Sequence, residues 1–448
     1  MTSRATRLAV VLYGQLAGHI ERRGGSLSFA YDDDYLRSSR PTPLSLSMPL
    51  STSVYTNKWV EAYLRGLLPD NDEVRRRWAS HFGLRDRDTF GLVAAIGSDT
   101  AGGAVFLPAD DYPQALDAGH VEPIDEAAIA ERLRRLRSDD TDWLGDDEHW
   151  SLAGAQSKFT LRRTRQGWGV AHGTEASTHI VKPGMGRIPG QALIEHVSMS
   201  AATALGLQVA TTTYAEFEDQ PAIVIERFDR TMRGSRLVRL HQEDFCQTFG
   251  LDPARKYEAD RGPGVQRIAD RLRDITSDDS VERFAKAVIA NYLLGAPDAH
   301  AKNYSILLVG PAARLAPLYD LASGLTVDRG GKLRYPNAAM SIGGERAFGE
   351  VQGRHWDRFA ARVGLPAEQI RTWVGQMSAD LPDAVSDAIR LLDGEAPSSI
   401  EVGLLLSRVR RLADLTRAAL QTEDTGRRQP DSGSRELAAV TLSGHGHE

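Results

Sequence analysis

Gly295-Ala296-Pro297-Asp298-Ala299-His300-Ala301-Lys302-Asn303, followed by Tyr304-Ser305-Ile306-Leu307-Leu308, is the stretch from which the rest of the chain is read. An Asp and an Asn stand with four residues between them, at the mouth of an apolar run. Asp320 closes the next apolar run, Leu315-Ala316-Pro317-Leu318-Tyr319. Gly310-Pro311 lies between and turns one run back on the other, so that 305–309 and 314–319 form an antiparallel hairpin. Asn303 precedes the first strand and Asp320 follows the second, and the hairpin brings them together. Phosphoryl transfer asks for such a set: one carboxylate to accept a hydroxyl proton, and oxygen ligands for Mg²⁺. The order D-x4-N then D is that of a phosphotransferase catalytic loop. Asp298 is therefore the candidate base, with Asn303 and Asp320 the candidate Mg²⁺ ligands. A lone Asp after a helix more often just closes its own turn; the combination carries the weight. In the same loop, Lys302 is placed to neutralise the transferring phosphate and His300 to orient the loop by a hydrogen bond. No companion ligands with zinc spacing accompany His300.

The upstream sequence supplies the other half of a nucleotide site. Ser151, Leu152, Ala153, Gly154, Ala155, Gln156, Ser157 and Lys158 form a run of small residues before the strand Phe159-Thr160-Leu161-Arg162. Small side chains let backbone N–H groups approach phosphate oxygens. The run is neither G-x-G-x-x-G nor G-x4-G-K-[ST], so by itself it is a weak signal. A strand through Thr178-His179-Ile180-Val181 ends in Lys182, the candidate α/β-phosphate lysine, since a lysine at the end of a buried strand needs an anionic partner. Glu195, early in the helix that follows, is placed to orient it. That helix shows Ala192, Leu193, Val197, Ala201, Ala204 and Leu205 at helical spacing, with Gly206 at its end. Two strands follow, 211–217 and 222–226, around an Asp219-Gln220-Pro221 turn. Glu226, Phe228 and Asp229 then occupy the hinge position, where backbone groups meet adenine and Phe228 covers it. This element order is that of a kinase N-lobe, with ATP as the cofactor.

Length and composition set the frame. The chain has 448 residues, 41% hydrophobic and 25% charged, with a net charge of −6, which suits several folded units and argues against general coating of nucleic acid. A single cysteine, Cys246, excludes an internal disulfide and fits a reducing cytoplasm. The N-terminal apolar run is too short to span a membrane and leads into patterned sequence rather than a cleavage site. The expected fold class is α+β, a two-lobed kinase-like fold with an N-terminal α/β part and a largely all-α C-terminal lobe. The expected units are 1–107, a small α/β subdomain without catalytic chemistry; 108–239, the N-lobe; 240–422, a mainly helical C-lobe; and 423–448, a disordered tail. In the first unit, Asp72 is the expected helix cap. In the third, helices are expected at 353–363, 366–379, 382–393 and 400–421. Two other functions suit parts of this pattern: a small-molecule kinase of the aminoglycoside-phosphotransferase kind, and a non-catalytic regulator.

Taken together, the chain resembles the HipA family of bacterial serine/threonine kinases over roughly residues 5–420. The resemblance is carried by Pro43-x-Ser45-x-Ser47-Met48-Pro49-Leu50, Leu67-Leu68-Pro69, the Ser151–Lys158 loop, Thr178-His179-Ile180-x-Lys182, Glu226-Arg227-Phe228-Asp229-Arg230, Gln242-Glu243-Asp244-x-Cys246-Gln247, Lys256-Tyr257-Glu258, Asp298-x-His300-Ala301-Lys302-Asn303 and Tyr319-Asp320. It implies ATP bound between the lobes, with Lys182 as an ATP contact. It also implies Asp298 as base, Asn303 and Asp320 as Mg²⁺ ligands, and Ser151 as an autophosphorylation site whose modification pulls the phosphate loop out. It further implies a HipB-like helix-turn-helix antitoxin as partner, DNA contact only through that antitoxin, and an aminoacyl-tRNA synthetase as protein substrate, the glutamyl enzyme in the best-known branch. Ser157 stands where that branch has Glu, and Ala296-Pro297 replaces the Asn-Thr often found before the catalytic Asp.

Overall fold

The computed structural model describes residues 5–426 apart from 146, 147, 235, 278, 330, 331 and 395. Its first sheet has five strands, with Arg7–Leu12 between Gln15–Arg23 and Val105–Pro108. Ser26–Tyr31 alternates, with Leu27, Phe29 and Tyr31 buried on one face. Leu8 to Leu12 instead read as a continuous apolar run because both faces of the strand are covered there. Leu8, Val10 and Leu12 join the main cluster, while Val11 packs with Val105, Leu107, Tyr112 and Leu116. Helices Asn57–Leu67, Asp72–His81 and Thr89–Ile96 complete the unit. Asn71, not Asp72, caps the second helix, its side chain accepting from Glu73 N. The apolar run at Phe90–Ile96 is a helix capped by Asp88.

The second sheet has six strands in the order Thr212–Phe217, Gln220–Glu226, His179–Lys182, Phe159–Thr164, Gly167–His172, His120–Ile124. Every neighbouring pair is antiparallel. The expected turn at Asp219-Gln220-Pro221 is tighter than its composition suggested. Glu218 takes a φ of +52°, and Gln220 and Pro221 already pair with Phe217 and Glu216. Between the fourth and fifth strands in chain order runs the helix Gln191–Ala204, ended by Gly206 at a φ of +80°. That helix shares one core cluster with the C-terminal helices, through Leu193, Val197 and Ala201.

The remainder is mainly helical, as the sequence led us to expect, but it opens on a strand. His241–Asp244 pairs with Ser305–Val309, which pairs with Ala312–Leu315, in a three-stranded sheet. The hairpin is therefore present, although its second strand stops at Leu315 instead of reaching Tyr319. The long helices are Val265–Ile275, Ser280–Leu293, Gly353–Val363, Ala367–Arg390 and Ile400–Gly426. The two helices expected around Pro382 are one. Proline leaves the carbonyl four residues back without its helical partner; here the Ser378 carbonyl accepts from Arg417 Nη1 at 3.3 Å. Leu381 and Val385 on either side of the proline are fully buried, so packing carries the helix through the missing bond. Of the tail at 423–448, residues up to Gly426 continue the last helix, and 427–448 lie outside the described residues. Among the described residues, no helix is long and apolar enough to cross a membrane.

Two buried polar joints fasten the N-terminal unit to the rest. Asp99 accepts from Arg230 Nη2 at 2.7 Å, Arg227 Nη1 at 3.2 Å and Ser177 Oγ at 2.6 Å. Glu243 accepts from Ser45 Oγ at 2.6 Å and Leu46 N at 2.9 Å. Burial pushes the Glu243 carboxyl up to about 7, against the pull of those two donors. A carboxyl that is harder to ionise in the folded chain favours folding at low pH, and loses that contribution as pH rises from its unfolded value through about 7. Glu243→Gln keeps an acceptor for Leu46 N and removes the charge. The melting temperature of this variant relative to the parent should rise between pH 5 and pH 8, reflecting a cost on the order of 3 kcal/mol. An identical difference at both pH values would show that Glu243 is not the titrating group.

Candidate active site

A cleft of about 680 Å³ opens between the six-stranded sheet and the helical part. One wall holds Ala153 to Gln156, Lys158 and Lys182. The facing wall holds Asp298, His300, Lys302, Asn303 and Asp320. The two loops singled out in the sequence, about 150 residues apart along the chain, therefore face one space.

Lys182 is the meeting point. Its strand paired on both sides carries it inward, and its Nζ donates to Glu195 Oε1 at 2.7 Å and to Asp320 Oδ1 at 2.6 Å. Glu195 is fully buried on the helix, where Gln191 Nε2 donates to its second oxygen. Burial alone would lower the lysine, but Asp320 and Glu195 outweigh it and hold the ammonium charged. Burial would raise Asp320, and Lys182 instead brings it down to about 2. The Asp320 backbone is left-handed, with a φ of +59°. That conformation costs an L-residue roughly 1–2 kcal/mol, offset here by the ion pair the carboxylate makes.

The loop that follows Ser280–Leu293 is fixed by its own backbone. His300 N donates to Asp298 O at 2.8 Å, and Asn303 Nδ2 donates to the same carbonyl at 2.7 Å. With its amide nitrogen so occupied, Asn303 has its side-chain oxygen left as acceptor. The Asp298 carboxylate is exposed to the cleft and accepts from the Tyr257 hydroxyl. Desolvation in the cleft, followed by the Asp320 charge, raises its pKa above the ordinary value, against the hydrogen bond from Tyr257. His300 is buried edge-on to the Tyr257 ring at 4.9 Å, and neither ring nitrogen has a hydrogen-bond partner among the described residues. Burial, then Lys256, lowers it to about 3, so the ring is neutral. The expected orienting hydrogen bond from His300 is absent. Lys302 is buried and donates to Asp70 Oδ1 at 2.5 Å.

The phosphate-loop candidates separate into two groups. Ala153, Gly154, Ala155, Gln156 and Lys158 line the cleft; Ser151 and Ser157 do not. Ser151 is buried and donates to Leu67 O at 2.8 Å, and Ser157 donates to Asp140 O at 2.9 Å. As direct nucleotide contacts, these two serines are corrected by the structure: their hydroxyls anchor the ends of the loop. Lys158 Nζ lies 4.4 Å over the Trp143 ring and donates to Ala153 O at 3.0 Å. Burial, then Lys182, lowers it to about 7. Trp143 and Trp150 both meet Trp78 edge-on, at 6.2 and 5.9 Å. The loop base thus rests on an aromatic cluster shared with the N-terminal unit.

At the hinge, Ile180, Ala210, Ile225, Phe228 and Tyr319 line an apolar slot, with Phe228 and Tyr319 rings 5.6 Å apart. Glu226 is exposed at the slot's edge. Asp229 is committed elsewhere: its oxygens accept from Arg227 Nε at 3.0 Å, Arg227 Nη2 at 2.8 Å and Gly102 N at 2.6 Å. It lines the cleft while its carboxylate braces the hinge.

Three cleft residues escaped the sequence reading: Asp70, Lys256 and Tyr257. Asp70 belongs to the unit expected to lack catalytic chemistry, and its Oδ2 accepts from Lys256 Nζ at 2.8 Å. Lys256 and Tyr257 stood in a quoted motif without a role; a pair of polar residues in a Gly- and Pro-bounded turn gives no local signal. The Lys182 pair yields a stability test. Lys182→Met strands a fully buried carboxylate at Glu195, and unfolding in denaturant should show a loss of about 3–5 kcal/mol. Adding Glu195→Gln should recover most of it. A double variant no more stable than the single would refute the pairing.

Comparison with known proteins follows the same outline. The HipA N-terminal domain model matches residues 8–107, and the HipA-like C-terminal domain model matches residues 150–385. A Sinorhizobium fredii protein named as a kinase, Y4mE, is 31% identical over 385 residues, covering 84% of this chain and 89% of that protein. The serine/threonine-protein kinase toxin HipA of Shewanella oneidensis is 29% identical over 418 residues, covering 87% and 91%. The solved complex of Shewanella oneidensis MR-1 HipA with HipB and operator DNA gives a TM-score of 0.79 at 25% identity, covering 92% of this chain and 97% of that one. With both domains matched in order, and this fold shared nearly end to end, the chain belongs to the HipA family.

Proposed function

We propose that this protein is an ATP- and Mg²⁺-dependent protein serine/threonine kinase. One observation carries the reading: Lys182 binds Glu195 and Asp320 at once, on the cleft that also receives Asp298 and Asn303. Adenine fits the apolar slot at the hinge, with backbone groups near Glu226 and Phe228 as its polar contacts. Lys182 and the backbone from Ala153 to Gln156 hold the phosphates, with Lys158 and Lys302 at either side. The Asn303 side-chain oxygen and the ionised Asp320 carboxylate are hard oxygen donors on the cleft wall, a donor set that suits Mg²⁺ together with phosphate oxygens and water. Mg²⁺ held by these two residues would neutralise charge on the phosphates. Asp298 takes the proton of the acceptor hydroxyl as its oxygen bonds to the γ-phosphorus and ADP leaves. The Tyr257 hydroxyl donates to one oxygen of the Asp298 carboxylate, Oδ1, and the carboxylate keeps lone pairs for the acceptor hydroxyl.

Ser151 is the proposed autophosphorylation site, and an aminoacyl-tRNA synthetase the proposed protein substrate, both from the family resemblance. A HipB-like antitoxin is the proposed partner, supported by the relative solved with HipB and operator DNA. Incubation with Mg-ATP followed by mass spectrometry should place phosphate on Ser151 of the parent and none on Asp298→Ala. Retained nucleotide binding with no phosphate anywhere would instead favour a non-catalytic regulator. Asp320→Ala should weaken Mg-ATP binding at least tenfold, about 1.4 kcal/mol by calorimetry; unchanged affinity would remove Asp320 from the metal site.

A further inference from the structure

The segment Leu67-Leu68-Pro69-Asp70 leaves the helix Asn57–Leu67 and runs between the two loops of the cleft. Its backbone holds the phosphate loop. Leu67 O accepts from Ser151 Oγ at 2.8 Å, and Asp70 N donates to Gly154 O at 2.9 Å, where Pro69 and Gly154 form a parallel bridge. Its side chain holds the opposite wall. Asp70 Oδ1 accepts from Lys302 Nζ at 2.5 Å and Oδ2 from Lys256 Nζ at 2.8 Å. Lys302 lies between Asp298 and Asn303 in sequence, and Lys256 precedes Tyr257, whose hydroxyl donates to Asp298.

We propose that Asp70 is a positioning residue for phosphoryl transfer: it sets the ammonium groups of Lys302 and Lys256 beside the acceptor position and ties them to the phosphate loop, so that the N-terminal unit completes the site. The proposal rests on the kinase reading above. Two ammonium groups drawn to one cleft repel each other unless a carboxylate lies between them, and Asp70 gives one oxygen to each. Asp70, Lys256 and Lys302 all line the cleft, so this is not a remote structural pair of the Arg132–Glu148 kind, which lies off the cleft wall. Burial would raise the Asp70 carboxyl, but Lys302 and Lys256 outweigh it and keep it ionised.

The role predicts a split between turnover and binding. Asp70→Asn keeps the backbone donor to Gly154 and the shape of the side chain while removing the charge. Transfer to Ser151 or to a protein acceptor should fall at least tenfold. Affinity for Mg-ATP, read by calorimetry, should stay the same or tighten, because the released lysines turn to phosphate. Asp70→Glu, which keeps the carboxylate on a longer arm, should recover part of the turnover, and it carries the test if the Asn variant shows no cooperative melt. An active parent with Asp70→Asn turnover within threefold of it would overturn the role. So would affinity lost in step with turnover, or a Glu variant no better than the Asn one. A parent that transfers no phosphate at all would overturn the kinase reading instead.

Discussion

The ammonium of Lys182 is buried at the wall of the cleft, and the fold around it is organised to make that tolerable. A buried charge without partners costs several kcal/mol, and breaking a buried pair is correspondingly damaging. Two carboxylates arrive from opposite directions: Glu195 from the helix Gln191–Ala204, Asp320 from the end of the hairpin. Meeting them fixes the helix against its sheet and turns Asp320 into a left-handed backbone. The helix also belongs to the core of the C-terminal helices, so one ion pair helps set the distance between the two walls. A site that must hold several phosphate charges is thus built round a cation whose place is decided before any nucleotide arrives.

The N-terminal unit is part of this construction rather than an attachment to it. It braces the hinge through Asp99, Arg227 and Arg230, grips the strand His241–Asp244 through Ser45 and Glu243, and enters the cleft at Asp70. All three joints are polar, the first two buried and the third partly so. Such contacts demand fixed geometry, because a misaligned partner leaves a desolvated group unpaired. The unit is therefore held in one orientation, and the hinge cannot bend without disturbing Asp99.

How much of this was legible follows from the range of each interaction. Asp298, Asn303 and Asp320 could be read because a hairpin of adjacent strands joins them, and short loops report their geometry in sequence. Lys182 and Glu195 were legible for a similar reason: a strand and the next helix bring them together. Asp70 was not, since its partners Lys256 and Lys302 lie 186 and 232 residues away along the chain. The commitment of the Asp229 carboxylate to Arg227 and Gly102 was not legible, because the Gly102 contact appears only when the N-terminal unit is docked. Pro382 was read as a break because local rules mark it so, and Arg417, which repairs the lost hydrogen bond, belongs to another helix. Ser151 and Ser157 looked like phosphate contacts through their place in a small-residue loop. Their side chains point back to Leu67 and Asp140, a choice that tertiary packing makes.

The burial of Ser151 has a consequence for timing. Its side chain is 1% exposed and its hydroxyl is spent on Leu67 O, so no transferase, this one included, can reach it while the loop is seated. Any modification there samples only molecules whose loop has already come away. Its rate is then the chemical rate scaled by the fraction of unseated loops, in the manner of any reaction confined to a minor conformer. Whatever clamps the loop, a bound nucleotide among them, would slow the change without touching the chemistry. The loop's seating equilibrium would act as the clock.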